Sequence, residues 1–276
     1  MKSFLWVINF LTVIPTGKRW CVIQPKMGNA VFWFPIIGLL IGFMLTFVYI
    51  PATRFFPHLV ADAIILIIYI VITGGFHLDG FADTCDGIFG GNTREKRLDI
   101  MRDSQIGSYG ALCLICTVGL KYACLVSIDP EAVAGLSFIS DHKTISDLNP
   151  LYLYACEKGK VLLFICAIGR WSQILGAALS SYARDEGGTG KIIIENVKIR
   201  HALFSAFIPG ILIFLFCGIK GIFIFLIVLI TVILFVSYMK RKIGGMTGDT
   251  LGALNEISEL AVLLSFLVIQ CQNEHS

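Results

Sequence analysis

The chain has 276 residues, of which 56% are hydrophobic and 15% are charged, and its formal net charge is +3. A soluble domain of this length needs far more charged surface, so this composition excludes an ordinary soluble protein. The sequence also lacks a basic patch interleaved with aromatic residues, which argues against a nucleic-acid partner. We therefore expect an integral membrane protein.

The N-terminal segment, MKSFLWVINFLTVIPTG, resembles a signal peptide because one Lys precedes an apolar run. It lacks a small-x-small cleavage site, so we predict that it is retained as an interfacial or re-entrant helix.

Long uncharged segments then predict membrane-spanning helices. Residues 27–53, 202–219 and 221–239 contain no Asp, Glu, Lys or Arg, and each is close to the ~20 residues that a helix needs to cross a bilayer. We predict an all-α fold, a polytopic helical bundle that forms one membrane-embedded catalytic domain over residues 1–276. It has about seven transmembrane helices, at 30–50, 60–76, 107–128, 161–180, 202–219, 221–239 and 250–270.

Lys and Arg are concentrated in alternate loops between these spans. Because basic loops remain in the cytoplasm, residues 80–106, 182–201 and 240–248 are predicted to share the cytoplasmic face of the inner membrane. Residues 129–160 are predicted to form an extramembrane insertion on the opposite face.

The first motif, GGFHLDGFADTCDGIFGG, places three aspartates directly after an apolar run. Asp79, Asp83 and Asp86 fall within about a 60° arc of a helix. Carboxylates clustered at a bilayer edge repel one another unless a divalent cation neutralises them, and oxygen ligands suit Mg²⁺ or Mn²⁺. The alternative is a solvated helix end whose acids pair with the bases that follow.

The second motif, NTREKRLDIMRDSQIG, predicts a helix that is capped by Asn92 with Glu95 as its capping-box partner. Asp99 and Asp103 then lie four residues apart on that helix. Its bases either hold phosphate oxygens or pair with these acids. The bases are Arg94, Lys96, Arg97 and Arg102.

The third motif, GGMTGDTLGALNEISEL, carries Asp249, Glu256 and Glu259 within about an 80° arc of one helix. Acids that face lipid are costly, so these should face the protein interior. Metal binding and a structural polar cluster are both open interpretations. In addition, Arg170 lies within a predicted span and Arg184 just beyond it.

Acidic clusters and arginines at one face of a helical bundle suggest metal-assisted phosphoryl transfer, in which metal ions and Arg neutralise charge on phosphate oxygens. His77 is a candidate base, although a structural hydrogen bond explains a lone His equally well.

The three motifs, the segment YARDEG and the N-terminal FLTVIPTG resemble, in order and spacing, the signature segments of the cobalamin (5'-phosphate) synthase family, also called adenosylcobinamide-GDP ribazoletransferases. The resemblance covers nearly the whole chain. Val13 stands where the family tends to have Arg, so no role is expected for it.

The resemblance implies a transferase of late nucleotide-loop assembly in cobalamin biosynthesis. The ribose hydroxyl of α-ribazole, or of α-ribazole 5'-phosphate, would attack the phosphorus that bears adenosylcobinamide, GMP would leave, and Mg²⁺ would be required. Besides these small-molecule substrates the expected partner is membrane lipid, no nucleic acid is expected, and a homo-oligomer remains open.

We predict a single site in which the acids of the third motif face those of the first across a cytoplasmic-side cavity; otherwise Asp249 and Glu256 form interior polar contacts remote from substrate. The predicted catalytic residues are Asp83, Asp86 and His77. The predicted Mg²⁺ ligands are Asp79, Asp83, Asp86, Asp103, Asp249 and Glu256. The predicted substrate-binding residues are Arg94, Arg97, Arg102, Ser104, Arg170 and Arg184.

Two other functions compete with this prediction. A CDP-alcohol phosphotransferase of lipid synthesis would need Ala-Arg three residues after its Asp-Gly, and here Asp79-Gly80 is followed by Phe81, Ala82 and Asp83. An ion-coupled transporter would carry acids deep in several spans, whereas these acids cluster near one predicted face.

Overall fold

The computed structural model describes residues 2–16, 27–129, 133, 150–185 and 187–274. These residues are mostly helical and form no β-strand, which confirms the predicted all-α fold. In chain order the helices are α1 (Lys2–Leu11), α2 (Met27–Ala30), α3 (Trp33–Phe55), α4 (His58–Thr73), α5 (Phe76–Gly90), α6 (Arg94–Ile100), α7 (Ser108–Ser127), α8 (Pro150–Ala178), α9 (Thr189–Asn196), α10 (Ile199–Ile243) and α11 (Gly248–Glu274).

The described helices agree with a multi-pass membrane protein. Five of them are long and apolar enough to span a membrane, and α4 together with α5 forms a sixth candidate span that is bent by 87°. Helix α1 has 10 residues and is too short to cross a bilayer by itself. Its length is compatible with the predicted interfacial or re-entrant helix.

Helix α10 contains two of the predicted spans, because the chain leaves helical geometry at Gly218 (φ 55°, ψ −139°). In an unbroken helix, residues eight apart are separated by ~12 Å. Here a Cβ on Gly221 would lie 2.5 Å from the carbonyl oxygen of Ile213. The helix therefore folds back at Gly218, and its two arms correspond to the predicted spans at 202–219 and 221–239.

The bend between α4 and α5 sets the direction of the first acidic motif. Gly74 and Gly75 both have left-handed backbone angles, with φ of 65° and 67°. The N–H of Gly75 donates to the carbonyl of Ile70 at 2.9 Å and closes α4, as is common where glycine ends a helix. Helix α5 then carries the three aspartates away from the axis of α4.

Helix α8 is central and packs against α3, α10 and α11, while α5 packs against α7 and α11. Helix α8 begins at Pro150, so residues 150–160 of the predicted insertion at 129–160 belong to this helix. Glu157 and Lys158 are buried there, and the Nζ of Lys158 donates to Asp62 of α4 at 2.7 Å. Most of the remaining predicted insertion, 130–132 and 134–149, lies outside the described residues.

Candidate functional site

Helices α5 and α11 are in close backbone contact, which brings the first and third motifs together. A Cβ at Gly80 would lie 2.9 Å from the Cα of Asp249, and a Cβ at Gly252 would lie 3.2 Å from the carbonyl oxygen of His77. Any larger residue at Gly80 would push the helices apart. Acids from both ends of the chain therefore border one cleft.

This acidic cleft is formed by Asp79, Asp83, Asp249 and Arg184. Asp79 is exposed, whereas Asp83 and Asp249 are partly buried. Asp83 interacts electrostatically with Asp79, Asp249 and Asp86, and Arg184 supplies the opposing charge. Because several carboxylates face one guanidinium, the cleft attracts cations.

Asp86 is held differently from the other two aspartates of α5. Its Oδ2 accepts a hydrogen bond from the N–H of Gly107 and its Oδ1 one from the N–H of Gly110, both at 2.8 Å. Backbone donors at the start of a helix lack helical partners, and Asp86, which is 7% exposed, satisfies two of them for α7. This capping role engages both oxygens, in contrast to the predicted catalytic and metal-binding role.

The start of α11 fixes the position of Asp249. The N–H of Thr247 donates to the Oγ1 of Thr250 at 2.7 Å, and the N–H of Thr250 donates to the Oγ1 of Thr247 at 3.2 Å. This reciprocal cap orders the first helical turn, where the helix dipole also favours an acidic side chain. The local sequence TGDT therefore presents Asp249 to the cleft.

Arg184 reaches the cleft because the segment before it pairs with Met246. The N–H of Met246 donates to the carbonyl of Ser181, and the N–H of Ala183 donates to the carbonyl of Met246, both at 2.9 Å. The Nη2 of Arg184 donates to the Oδ2 of Asp249 at 2.7 Å. Its Nε is buried and has no partner among the described residues, so this N–H can donate to a phosphate oxygen.

Two predicted substrate-binding arginines hold the end of α10 instead. Arg94 donates to the carbonyls of Ile243 at 2.9 Å and Ala183 at 2.8 Å, and Arg97 donates to the carbonyl of Lys242 at 3.2 Å. The last carbonyls of a helix lack helical partners, so these contacts satisfy the helix end. They also show that the loops before α6, after α8 and after α10 meet at one end of the molecule.

The cap and the polar C-terminal part of the second motif lie at the surface. The cap of α6 is Thr93, whose side chain accepts a hydrogen bond from the N–H of Lys96, and not the predicted Asn92. Arg102, Asp103 and Ser104 are exposed in the turn between α6 and α7. Their predicted roles in metal and substrate binding remain predictions.

A buried interior network joins α4, α7, α8 and α11. Its members are Tyr69, Lys121, Arg170, Asn255, Glu256 and Glu259. Glu259 is the centre, because its Oε1 accepts from Arg170 at 2.7 Å and from the Tyr69 hydroxyl, while its Oε2 accepts from Lys121 at 2.5 Å. Lys121 also donates to the Oε2 of Glu256 at 2.5 Å.

This interior network is electrically balanced, since Lys121 and Arg170 face two carboxylates. Buried charges are tolerated when they are paired in this way. Glu256 is 2% exposed and Arg170 is 0% exposed, so both lie in the interior network and not at the surface of the acidic cleft, and their metal and substrate contacts remain predictions. Residues seven apart share a helix face but are separated by ~10 Å along the axis, which is why Asp249 lies at the cleft and Glu256 does not.

His77 is also buried. Its side chain is 2% exposed, and neither ring nitrogen has a partner among the described residues. It lies in the electrostatic field of Arg170 and Lys121, which belong to the interior network. This buried position does not favour the predicted role of His77 as a base, and among the described residues neither ring nitrogen makes the structural hydrogen bond that was the alternative.

The sequence interpretation missed Lys121, although a signal was available. Lys121 is the only charged residue of the predicted span at 107–128, and a lone charge within a span requires a partner of opposite sign. The same rule would have indicated Asp62, the only charged residue of the predicted span at 60–76, but not its buried partner Lys158, which belongs to the predicted insertion. Tyr69 carries no comparable signal, because tyrosines are ordinary residues in apolar helices.

The acidic cleft fits Mg²⁺ in its donor chemistry. Among the described residues, no group of three or more His, Cys, Asp or Glu converges as a complete metal site. Mg²⁺, however, is usually bound by one or two carboxylates, with substrate phosphates and water completing its coordination. Asp79 contributes to the electrostatic field at Asp249, and these two carboxylates are candidates for such a pair of oxygen ligands.

Comparison with known proteins gives a consistent result. A family model described as cobalamin-5-phosphate synthase matches residues 3–267. The chain is similar to proteins named adenosylcobinamide-GDP ribazoletransferase: one from Acetivibrio thermocellus is 36% identical over 270 residues (98% of this chain and 99% of that protein), and one from Escherichia coli is 31% identical over 271 residues (97% and 100%). No solved structure matches the chain.

Proposed function

Because the chain belongs to the cobalamin-5-phosphate synthase family, we propose that it is an adenosylcobinamide-GDP ribazoletransferase and that its reaction takes place in the acidic cleft. The ribose hydroxyl of α-ribazole, or of its 5'-phosphate, forms a bond to the phosphorus that bears adenosylcobinamide. The bond from this phosphorus to the GMP oxygen breaks. The products are GMP and adenosylcobalamin or its 5'-phosphate, as in late nucleotide-loop assembly.

The observation that carries this proposal is the meeting of Asp79, Asp83, Asp249 and Arg184 between α5 and α11. A pyrophosphate brings several negative charges, so its cleavage needs positive charge near the departing phosphate. Asp79 and Asp249 would hold Mg²⁺. When bound, this ion neutralises charge on the pyrophosphate oxygens.

Arg184 and Asp83 have separate roles in this proposal. Arg184 binds the phosphate of the leaving GMP through its unpartnered Nε–H. Asp83 accepts the proton of the attacking hydroxyl, because its partly buried carboxylate accepts no hydrogen bond from the described residues. A positioned base of this kind contributes roughly 10²- to 10⁴-fold to the rate.

We assign the cleft to the cytoplasmic side of the inner membrane. The loops that meet around it carry most of the exposed bases, including Lys96, Lys198, Lys240 and Arg241. Loops with an excess of Lys and Arg remain in the cytoplasm during membrane insertion.

The test is turnover by the purified protein in detergent with adenosylcobinamide-GDP, α-ribazole and Mg²⁺. GMP and the cobalamin product should form in equal amounts, and chelation of Mg²⁺ should stop both. Asp83→Asn and Asp249→Asn should each lower turnover by roughly two orders of magnitude or more, whereas Asp99→Asn on exposed α6 should match the wild type.

Two results would contradict the proposal in different ways. Normal GMP release by both cleft variants would move the reaction elsewhere in the protein. Uptake of substrate into proteoliposomes by a wild-type protein that releases no GMP would support a transporter instead.

A further inference from the structure

A small cavity lies beside the acidic cleft, where the start of α11 meets α1, α3, α5, α8 and α9. Its empty volume, counted together with the open space at its mouth, is about 370 Å³. We call it the aromatic cavity. Its walls include Phe10, Phe34, Phe76, Gln173, Gly248 and Leu251.

Three phenylalanines give this cavity flat apolar walls. The ring of Phe10 lies 6.0 Å from that of Phe34 and 5.5 Å from that of Phe76, measured between centroids. Rings arranged in this way offer faces and edges to another aromatic ring. The cavity therefore favours a planar ligand.

Gln173, which lines the cavity, carries one unsatisfied hydrogen-bond acceptor. Its side chain is 5% exposed, and its Oε1 is buried with no partner among the described residues. Its Nε2 donates to the carbonyl of Leu251 at 3.4 Å. This contact favours the present orientation of the amide, because the reversed amide would bring two oxygens together. A buried acceptor is costly without a donor, so a ligand with an N–H group fits this cavity.

We propose that the aromatic cavity binds the guanine base of adenosylcobinamide-GDP and of the departing GMP; the inference rests on the proposed function. Guanine is planar and presents N–H donors along one edge, which Gln173 Oε1 accepts. The benzimidazole of α-ribazole has no ring N–H, since one nitrogen is bonded to ribose and the other is an acceptor. It therefore leaves Gln173 unsatisfied.

The position of the cavity agrees with this assignment. Gly248 lines the cavity and Asp249 of the acidic cleft follows it directly, while Phe76 precedes Asp79 by one helical turn. Only one ribose separates the base of a nucleotide from its phosphates, so guanine in the cavity brings the pyrophosphate to the cleft. The adenine of the adenosyl group is separated from the pyrophosphate by the corrin ring and is a poorer match.

The test is equilibrium binding of nucleotides to the full-length protein in detergent by titration calorimetry. Wild type should bind GMP more tightly than AMP, because adenine presents an acceptor nitrogen where guanine presents N1–H. Gln173→Leu should weaken GMP binding by roughly tenfold, the effect of losing one hydrogen bond, and should abolish the preference over AMP. Gln270→Leu, the same change near the far end of α11, should bind GMP like the wild type.

Phe76→Leu provides a second variant if Gln173→Leu does not fold, because Phe76 is 46% exposed and tolerates replacement. It should weaken GMP binding through lost stacking.

Unchanged GMP affinity in a folded Gln173→Leu or Phe76→Leu protein that still makes cobalamin would refute the cavity assignment while the proposed function stands. Weakened binding of 5'-deoxyadenosine, with GMP unaffected, would assign the cavity to the adenosyl group and overturn the guanine proposal. Absence of GMP release by the wild type would refute the proposed function itself.

Discussion

Each aspartate of α5 has its own environment despite their regular spacing. Asp79 faces solvent, Asp83 lies in the cleft, and Asp86 caps α7. The contrast follows from helix geometry, because neighbouring helices cover different parts of one acidic stripe. Loss of a charge should therefore have different effects at Asp83 and Asp86.

At the residue scale, we predict that Asp86→Asn destabilises the protein. The Asn amide keeps one acceptor oxygen and turns an NH₂ group toward a backbone N–H, so one of two capping bonds is lost. A buried bond of this type is worth roughly 1–3 kcal/mol. The thermal unfolding midpoint in detergent, followed by tryptophan fluorescence, should fall for Asp86→Asn and stay at the wild-type value for Asp83→Asn. Equal midpoints for Asp86→Asn and wild type would show that the cap is dispensable.

At the scale of helices, the contact between α5 and α11 controls the geometry of the cleft. We predict that Gly80→Ala lowers turnover by roughly tenfold to a hundredfold, since the new Cβ must displace α11 and misplacement by about 1 Å can cost a factor of 10². Steady-state GMP release measures the effect. Gly119→Ala in α7 is the matched control, because a Cβ there meets nothing within 4 Å. Full activity of Gly80→Ala would mean that the cleft adjusts to a wider spacing.

The interior network ties four helices together through paired charges. We predict that Lys121→Met lowers stability by roughly 3–5 kcal/mol, the usual cost of leaving a buried charge without its partner. The double variant Lys121→Met/Glu256→Gln should recover part of this loss, because it removes the unpaired carboxylate as well. Thermal unfolding of both variants measures the effect, with exposed Lys96→Met as control. A single variant as stable as the wild type would contradict the pairing.

At the scale of the whole molecule, the loops around the cleft share one end of the bundle. We predict that single cysteines replacing Lys96 and Arg241 react with an impermeant thiol reagent from the cytoplasmic side, and that cysteines replacing Phe56 and Ile219 react from the opposite side. The measurement needs a background in which the nine native cysteines are replaced. Labelling of positions 96 and 241 from opposite sides would contradict the shared face.

Much of the architecture could be predicted from the sequence, because in a membrane protein an uncharged run of about 20 residues almost always forms a membrane-spanning helix. The reversal at Gly218 was predicted because Lys220 interrupts two such runs. The cap by Asp86 could not be predicted, since it depends on how α7 approaches α5. The burial of Glu256 in the interior network could not be predicted, because the spacing of residues gives their angular position on a helix but not their depth relative to a cleft.

The pairing of Lys121 with Glu256 also constrains how the protein is made. These residues are 135 positions apart, so α7 is synthesised long before its acidic partners. An unpaired Lys near the middle of a helix costs ~2.5–3.5 kcal/mol during insertion, and α7 must carry this charge until α11 follows it. The charge of Lys121 is therefore neutralised only when α11 joins the bundle, and a chain cut short before α11 leaves this lysine without either of its carboxylates.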